Sequence, residues 1–225
     1  MMSKDDVSDL NLDYEYCLLR TNKEEIFPKF GEPDQFLIRR DGEILVRTDD
    51  DQKEVTIGTF SLMIADIEGA VEANVSAYDV FDTESASFRH YEALYDGYDF
   101  KERVVKVAVG DDYVFRPNLL MLERLTIYPE YRGQGLGLTV LRMLIERYRI
   151  GMGLVSLKPF PLQFEVNPMS ETNDIPRERL ELDNFKGTSV AATRKLKRYY
   201  EKLGFKSVSR TEYMVRDATK PFQEA

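Results

Sequence analysis

Residues 119–137 read LLMLERLTIYPEYRGQGLG, an apolar run that leads through a proline into three closely spaced glycines. The run predicts a buried strand, and the apolar residues between Leu138 and Tyr148 recur every three or four positions, as on one face of a helix. Glycines at such a strand-to-helix turn leave N–H groups at the helix N-terminus without partners. A turn of this kind binds anions, and phosphates above all.

The spacing of the glycines excludes two common phosphate-binding loops. A Walker loop needs a lysine after its last glycine, and no lysine follows Gly137. The dinucleotide fingerprint Gly-x-Gly-x-x-Gly needs a third glycine where this chain has Leu138. The pattern that does fit is Arg-x-x-Gly-x-Gly, over residues 132–137.

This pattern, together with its strand, proline and helix, resembles the acetyl-CoA-binding motif of the GNAT superfamily of N-acyltransferases. The resemblance implies that acetyl-CoA is the co-substrate, that the loop amides hold its pyrophosphate, and that the preceding strand lies along its pantetheine arm. The cofactor-binding residues implied are Leu125, Thr126, Ile127, Arg132, Gly133, Gln134, Gly135, Leu136 and Gly137. The alternative is a purely structural turn.

A second motif resembles the same family's late helix, which ends in aromatic-Tyr-Glu-Lys-Leu-Gly-Phe. Residues 191–205 read AATRKLKRYYEKLGF, and the pattern predicts a helix capped by Thr188 or Ser189 and stopped by Gly204. The resemblance implies that Tyr200 protonates the departing coenzyme A sulfur and that Tyr199 packs. Core packing of Tyr200 is the alternative.

The fold class that the resemblance implies is α/β: a mixed, mostly antiparallel sheet with a central parallel, splayed strand pair and helices on both faces. The crossover from the apolar run to Leu154–Leu157 supplies the parallel pair. Earlier in the chain, residues 36–38 and 44–46 flank Asp41-Gly42, which predicts a hairpin, and a longer strand follows at 55–64. Two last strands, near 205–208 and 212–215, should form a second hairpin.

We expect a flexible N-terminus at residues 1–13 and a single N-acetyltransferase domain over 14–225. A helical pattern around 68–110 departs from the usual family order: either the predicted strands are misplaced, or the stretch is an insertion that shapes the acceptor pocket. Its aromatic residues are expected in the core, and His90 at the surface or in the core rather than in catalysis. The long connection 158–187 is either a substrate-selecting loop or a disordered segment.

Composition limits the partners. A net charge of −9 argues against a broad nucleic-acid footprint, so we expect a small-molecule or peptide amine acceptor and no nucleic acid, and we leave a homodimer open. One cysteine and one histidine indicate a protein without metal or disulfides in a reducing cytoplasm. No apolar run reaches the ~18–20 residues of a membrane span, so no membrane partner is expected.

Acyl transfer to an amine needs a base, a polarised carbonyl and a protonated leaving thiolate. Glu123 is the candidate base, and strict alternation along the strand would place it on the same face as Leu125 and Ile127. An ion pair with Arg124 or with another surface partner is its structural alternative. Backbone N–H groups of residues 125–127 are the candidates for polarising the carbonyl.

The predicted function is transfer of an acetyl group from acetyl-CoA to a primary amine of a small molecule, peptide or protein by direct attack. One alternative is a catalytically silent acetyl-CoA-binding sensor or scaffold. Another is an acyl-transfer toxin acting on aminoacyl-tRNA. The acidic balance weighs against the toxin, because such an enzyme should show a basic patch.

Overall fold

The computed structural model describes residues 17–21, 31–47, 54–165 and 177–222. Nine strands occur there: β1 Cys17–Thr21, β2 Leu37–Arg47, β3 Glu54–Ala65, β4 Tyr95–Asp96, β5 Asp99–Phe100, β6 Leu119–Ile127, β7 Leu154–Leu157, β8 Lys206–Ser207 and β9 Met214–Asp217. Six α-helices occur in the same ranges: α1 Ile67–Glu72, α2 Ala77–Asp82, α3 Ser85–Leu94, α4 Glu102–Val109, α5 Leu136–Tyr148 and α6 Ser189–Glu201. The N-terminal segment 1–13 lies outside the described residues.

Seven of the strands form one sheet in the order β1-β2-β3-β6-β7-β9-β8, while β4 and β5 form a separate pair. Within the described ranges, β6 and β7 pair in parallel and every other pairing is antiparallel. One face of the sheet packs against α5 and α6, and the other packs against α1 to α4. The predicted fold class is confirmed by this architecture.

The predicted hairpin at Asp41-Gly42 is wrong, because β2 runs through these residues as one strand. Gly42 lies opposite Thr21 of β1 on one side and Phe60 of β3 on the other. A strand with partners along both edges satisfies its backbone N–H and C=O groups throughout. That pairing outweighs the local turn preference of the Asp-Gly dipeptide.

Strand β6 contains a β-bulge at Glu123. Leu122 lies opposite Leu62 of β3 and Arg124 lies opposite Ser61, so Glu123 is the extra residue of β6. A bulge shifts the alternation of side chains beyond it by one position. The face of a residue after the bulge therefore cannot be read from its spacing to a residue before it.

The burial pattern shows this shift. Leu120 and Leu122 pack into the core under α5, and beyond the bulge Leu125 and Ile127 pack into the same core. The prediction that Glu123 shares a face with Leu125 and Ile127 is wrong for this reason. Its neighbours are on the opposite face, under the helices α1 to α4.

The parallel pair is short. Strand β7 pairs with β6 from Leu119 to Leu122 and ends at Leu157, where the chain continues through Pro159 and Pro161. Proline has no N–H and cannot extend a ladder. Residues 123–127 of β6 therefore keep β3 on one edge, and no other strand in the described ranges pairs with their second edge.

The helices that flank the motifs begin and end as predicted. The Thr188 hydroxyl accepts a hydrogen bond from the Ala191 amide at 3.3 Å and caps α6, and Gly204 follows the helix with φ +81°. The stretch predicted around 68–110 contains α1 to α4, with Tyr95 and Phe100 in its core and Tyr98 on the surface. The described helices include none long and apolar enough to cross a membrane.

Candidate active site

The glycine loop presents a row of unbonded amides at the start of α5. Tyr131 and Leu136 anchor the loop in the core, while the three residues between Arg132 and Leu136 are exposed. In the described part of the chain, no hydrogen bond has the amide of any residue from 133 to 137 as its donor. The positive end of the helix dipole lies at the same place, so the loop can hold an anion such as a pyrophosphate.

The conformation of the loop requires its first two glycines. Gly133 and Gly135 have φ of +86° and +81°, values that side chains with a Cβ rarely adopt. Gly137 is needed for a different reason, because a Cβ there would collide with the Tyr199 hydroxyl. Helix α6 therefore touches the loop through Tyr199, whose role was predicted to be packing alone.

The guanidinium of Arg132 holds the loop in place. Its Nε donates to the Ile127 carbonyl at 2.7 Å and its Nη2 to the Leu180 carbonyl at 2.8 Å, and Phe185 lies 5.2 Å below it. Burial lowers the pKa of this arginine. The side chain thus ties the loop to the end of β6 and to residues 180–185, and the exposed amides beside it are the groups left for an anion.

The end of β6 offers its backbone rather than its side chains. Leu125 and Ile127 pack into the core, and the Thr126 hydroxyl lies 2.7 Å from the Thr59 hydroxyl. The side chains of Leu125, Thr126 and Ile127, three of the predicted cofactor-binding residues, thus all contact other parts of the protein. The strand edge of these residues does not pair with β7, whose pairing ends at Leu122. The backbone N–H and C=O groups on that edge are the polar groups available to an extended ligand.

Glu123 lies in a largely buried position, with 22% of its side chain exposed. Burial raises its pKa to about 7, Arg39 and Lys158 oppose that shift, and Glu84 adds to it. A carboxylate with this pKa changes protonation near neutral pH, as a general base should. Its alternative, an ion pair with Arg124, is not formed, because Glu165 binds Arg124 through contacts of 2.5 and 2.6 Å.

The surroundings of Glu123 include two residues that the sequence did not assign to the site. His90 on α3 has its Nε2 3.9 Å from Glu123 Oε1, and its ring lies 4.2 Å from the ring of Tyr213. His90 is buried, as expected, but beside the candidate base. A lone histidine in a helical pattern gives no sign of which residue it faces, so no sequence signal could have placed it here.

Tyr200 lies on α6 next to Tyr199 and packs edge-on against Phe205, with ring centroids 6.3 Å apart. Burial raises its pKa to about 12, with a smaller contribution from Tyr199. The phenol therefore stays protonated at neutral pH, which suits a proton donor. Its role as the acid remains a prediction.

No protein-family model matches the chain, and no curated protein matches it. Solved structures do. They include the KacTA–DNA complex (11% identity, 80% of this chain and 68% of that chain, TM-score 0.37) and AtaTR bound with AcCoA (9% identity, 91% and 95%, TM-score 0.38). AtaT complexed with acetyl-methionyl-tRNAfMet also matches (11% identity, 82% and 72%, TM-score 0.35).

One prediction about partners is wrong. A small-molecule or peptide acceptor with no nucleic acid was expected, whereas several of the matched structures were solved with DNA, with tRNA or with the antitoxin AtaR. The net charge of −9 is a sum over the chain and does not show where the charges lie. Residues 194–210 alone carry seven basic residues and one acidic residue, and most of the basic ones are exposed on or just after α6.

The described residues contain no group of three His, Cys, Asp or Glu side chains arranged to hold a metal ion. The sheet order, the short parallel pair and the glycine loop at the start of α5 give this chain the GNAT fold.

Proposed function

We propose that this chain is an acetyltransferase that uses acetyl-CoA and acts on the α-amine of an aminoacyl-tRNA. The observation that carries the proposal is the row of unbonded amides at residues 133–137, which lies next to the open edge of β6. Amides at a helix N-terminus suit the pyrophosphate of coenzyme A, and a free strand edge suits its amide-containing pantetheine arm. The exposed glycines leave the backbone accessible to such a ligand.

Each step of the transfer has a candidate group. Glu123, with its pKa near neutral, receives the proton of the acceptor amine directly or through a water. Backbone N–H groups of residues 125–127 on the open edge polarise the acetyl carbonyl. The Tyr200 hydroxyl donates a proton to the thiolate that leaves.

Two features support an aminoacyl-tRNA as the acceptor. The basic surface of α6 lies next to the loop, since Tyr199 of the same helix meets Gly137, and clustered basic residues bind a phosphate backbone. The protonation chemistry also fits, because an α-amino group has a pKa of about 7.7–8.0 and a lysine side chain one of about 10.4. A base with a pKa of about 7 is matched to the former.

The acceptor is tested by incubating the protein with labelled acetyl-CoA and tRNA charged with single amino acids. We expect label to enter charged tRNA and to be released as the N-acetylamino acid by mild alkali, which hydrolyses the ester to the tRNA. Uncharged tRNA and free amino acids are the controls. Label on neither charged tRNA nor any other amine, despite tight coenzyme A binding, would favour the silent sensor.

The role of the basic surface is tested in the same assay with Arg194→Ala and Arg198→Ala. Each removes an exposed positive charge of α6, so KM for charged tRNA should rise and the slope of log affinity against log salt should fall by about 0.7–0.9 per lost contact. Arg103→Ala is the matched control, because Arg103 is exposed on α4, on the opposite face of the sheet. An equal effect of all three variants would argue against a binding surface on α6.

Gly135→Asp tests the loop. The change should abolish coenzyme A binding, because it imposes side-chain strain at φ +81° and places a carboxylate among amides that face an anion. Gly110→Asp is the control, since Gly110 is an exposed glycine with φ +78° at the end of α4. Calorimetry with coenzyme A on both folded variants is the measurement, and undiminished affinity in Gly135→Asp would contradict this use of the loop.

Glu123→Gln tests the base. The wild-type rate should fall as pH drops through about 7, because Glu123 then becomes protonated. The variant has no carboxylate to titrate, so its rate should be low and should recover partly at higher pH, as the amine loses its proton unaided. If the pH–rate profile of the variant equals that of the wild type, Glu123 is not the base and its role is structural.

Tyr200→Phe tests the acid. Loss of one hydroxyl should lower kcat by about 10²–10⁴-fold and leave KM for acetyl-CoA nearly unchanged, as expected for a general acid. Tyr199→Phe is the neighbouring control: its hydroxyl meets the loop at Gly137, so its loss should change KM and spare kcat. Small, equal effects on kcat at both positions would contradict the donor role.

A further inference from the structure

The chain's one histidine lies beside the candidate base, although it comes from the helices that depart from the usual family order. We propose that His90 positions the Glu123 carboxylate and shares its proton, so that the two residues act as one coupled basic pair. His90 is a positioning residue in this role, because it acts through Glu123. The inference deepens the proposed function and rests on it.

The geometry of the pair supports the proposal. His90 is 3% exposed, and its Nε2 lies 3.9 Å from Glu123 Oε1. Glu123 Oε1 is itself buried and accepts no hydrogen bond among the described residues. The Tyr213 ring, 4.2 Å from the imidazole and tilted by 43°, supports the histidine from another element. A buried carboxylate and a buried imidazole that face each other lower their desolvation penalty by pairing.

Glu123 needs such support because of its place in the sheet. Glu123 is the extra residue of a β-bulge, so no residue of β3 lies opposite it. On the other side of β6, the pairing with β7 ends before Glu123. Neither neighbouring strand therefore fixes its side chain through a cross-strand pair. Helix α3 packs over this face and brings His90 to the carboxylate.

The other charged and titratable groups around the pair come from several elements. Arg39 of β2 binds Glu84, which precedes α3, at 2.5 Å, and both influence Glu123, as does Lys158 after β7. Around the supporting Tyr213 lie three further groups that influence it: Arg89, Glu92 and Glu212. These charged groups also influence the protonation of Glu123 and Tyr213, so the effect of His90 is measured with all of them in place.

The proton step balances in a simple way. An N–H bond of the protonated acceptor amine breaks, its proton bonds to a carboxylate oxygen of Glu123, and the electron pair left on the now neutral nitrogen attacks the carbonyl. The pair then holds one proton more than before. Two groups that interact this closely titrate in two steps that belong to the pair rather than to either residue.

The single histidine permits a test that does not depend on activity. The full chain is labelled with ¹⁵N-histidine, and the imidazole signals of His90 are followed by NMR against pH in wild type and in Glu123→Gln. We expect two inflections in wild type and one in the variant, because the second reports the titration of Glu123. Identical titration curves in the two proteins would overturn the coupling.

Kinetics tests the positioning role. His90→Leu should move the acidic limb of the pH–rate profile upward by about one pH unit, because the ionised carboxylate loses its stabilising partner. His90→Gln should return the limb toward wild type, since its amide N–H₂ can stand near the position of Nε2. Ser87→Ala is the control on stability, because it removes a buried hydroxyl one turn earlier on α3 that bonds the carbonyls of Phe81 and Glu84.

The outcomes separate this inference from the proposed function. A limb that stays in place in folded His90→Leu, or that moves equally in Ser87→Ala, overturns the positioning role in an active enzyme. If His90→Leu does not fold, the NMR comparison with Glu123→Gln decides alone. A wild-type protein that transfers no acetyl group refutes the proposed function, whereas the coupled titration of His90 and Glu123 is still read by NMR.

Discussion

Strand β6 keeps its antiparallel partner β3 along its length but loses the parallel partner β7 after Leu122, and the site depends on this one-sided pairing. A buried strand edge normally needs a partner for every N–H and C=O group. Here the prolines that follow β7 end the ladder, and the remaining five residues of β6 have no second strand partner in the described part of the chain. The amide row of the loop follows directly, so a ligand along that edge meets the helix N-terminus next.

The bulge at Glu123 divides β6 into two segments whose side chains pack differently. Before it, leucines fill both cores; after it, Leu125 and Ile127 pack under α5, while the backbone on the open edge stays available. Glu123 continues the alternation of the residues before it and lies toward α1 to α4, whereas the bulge brings Leu125 and Ile127 back to the face under α5. A one-residue irregularity therefore assigns the cofactor region to one face of the sheet and the base to the other.

The helices α1 to α4 matter because they exclude water from Glu123. Burial is the largest cause of its raised pKa, and the nearby positive charges of Arg39 and Lys158 oppose that effect without cancelling it. The balance places the titration of the carboxylate close to neutral pH. The helical stretch at 68–110 thus sets the environment of the candidate base as well as part of the core.

The sequence by itself determined the elements whose signal is local. Periodicity and turn residues predicted β6, α5 and α6, and the spacing of Gly133, Gly135 and Gly137 predicted the unbonded amides, because both depend on neighbours within a few positions. Local preference failed where partners on both sides decided the outcome, as at Asp41-Gly42, which lies inside a continuous strand.

Only the tertiary structure decided the face of Glu123 and the neighbours it meets. A bulge is a mismatch between two strands, so neither strand shows it alone, and His90 and Tyr213 reach Glu123 from positions 33 residues before and 90 residues after it. The guanidinium of Arg132 likewise binds one carbonyl that is distant in the sequence, that of Leu180. Net charge could not show the basic surface of α6, because a sum over the chain carries no information about where charges lie in space.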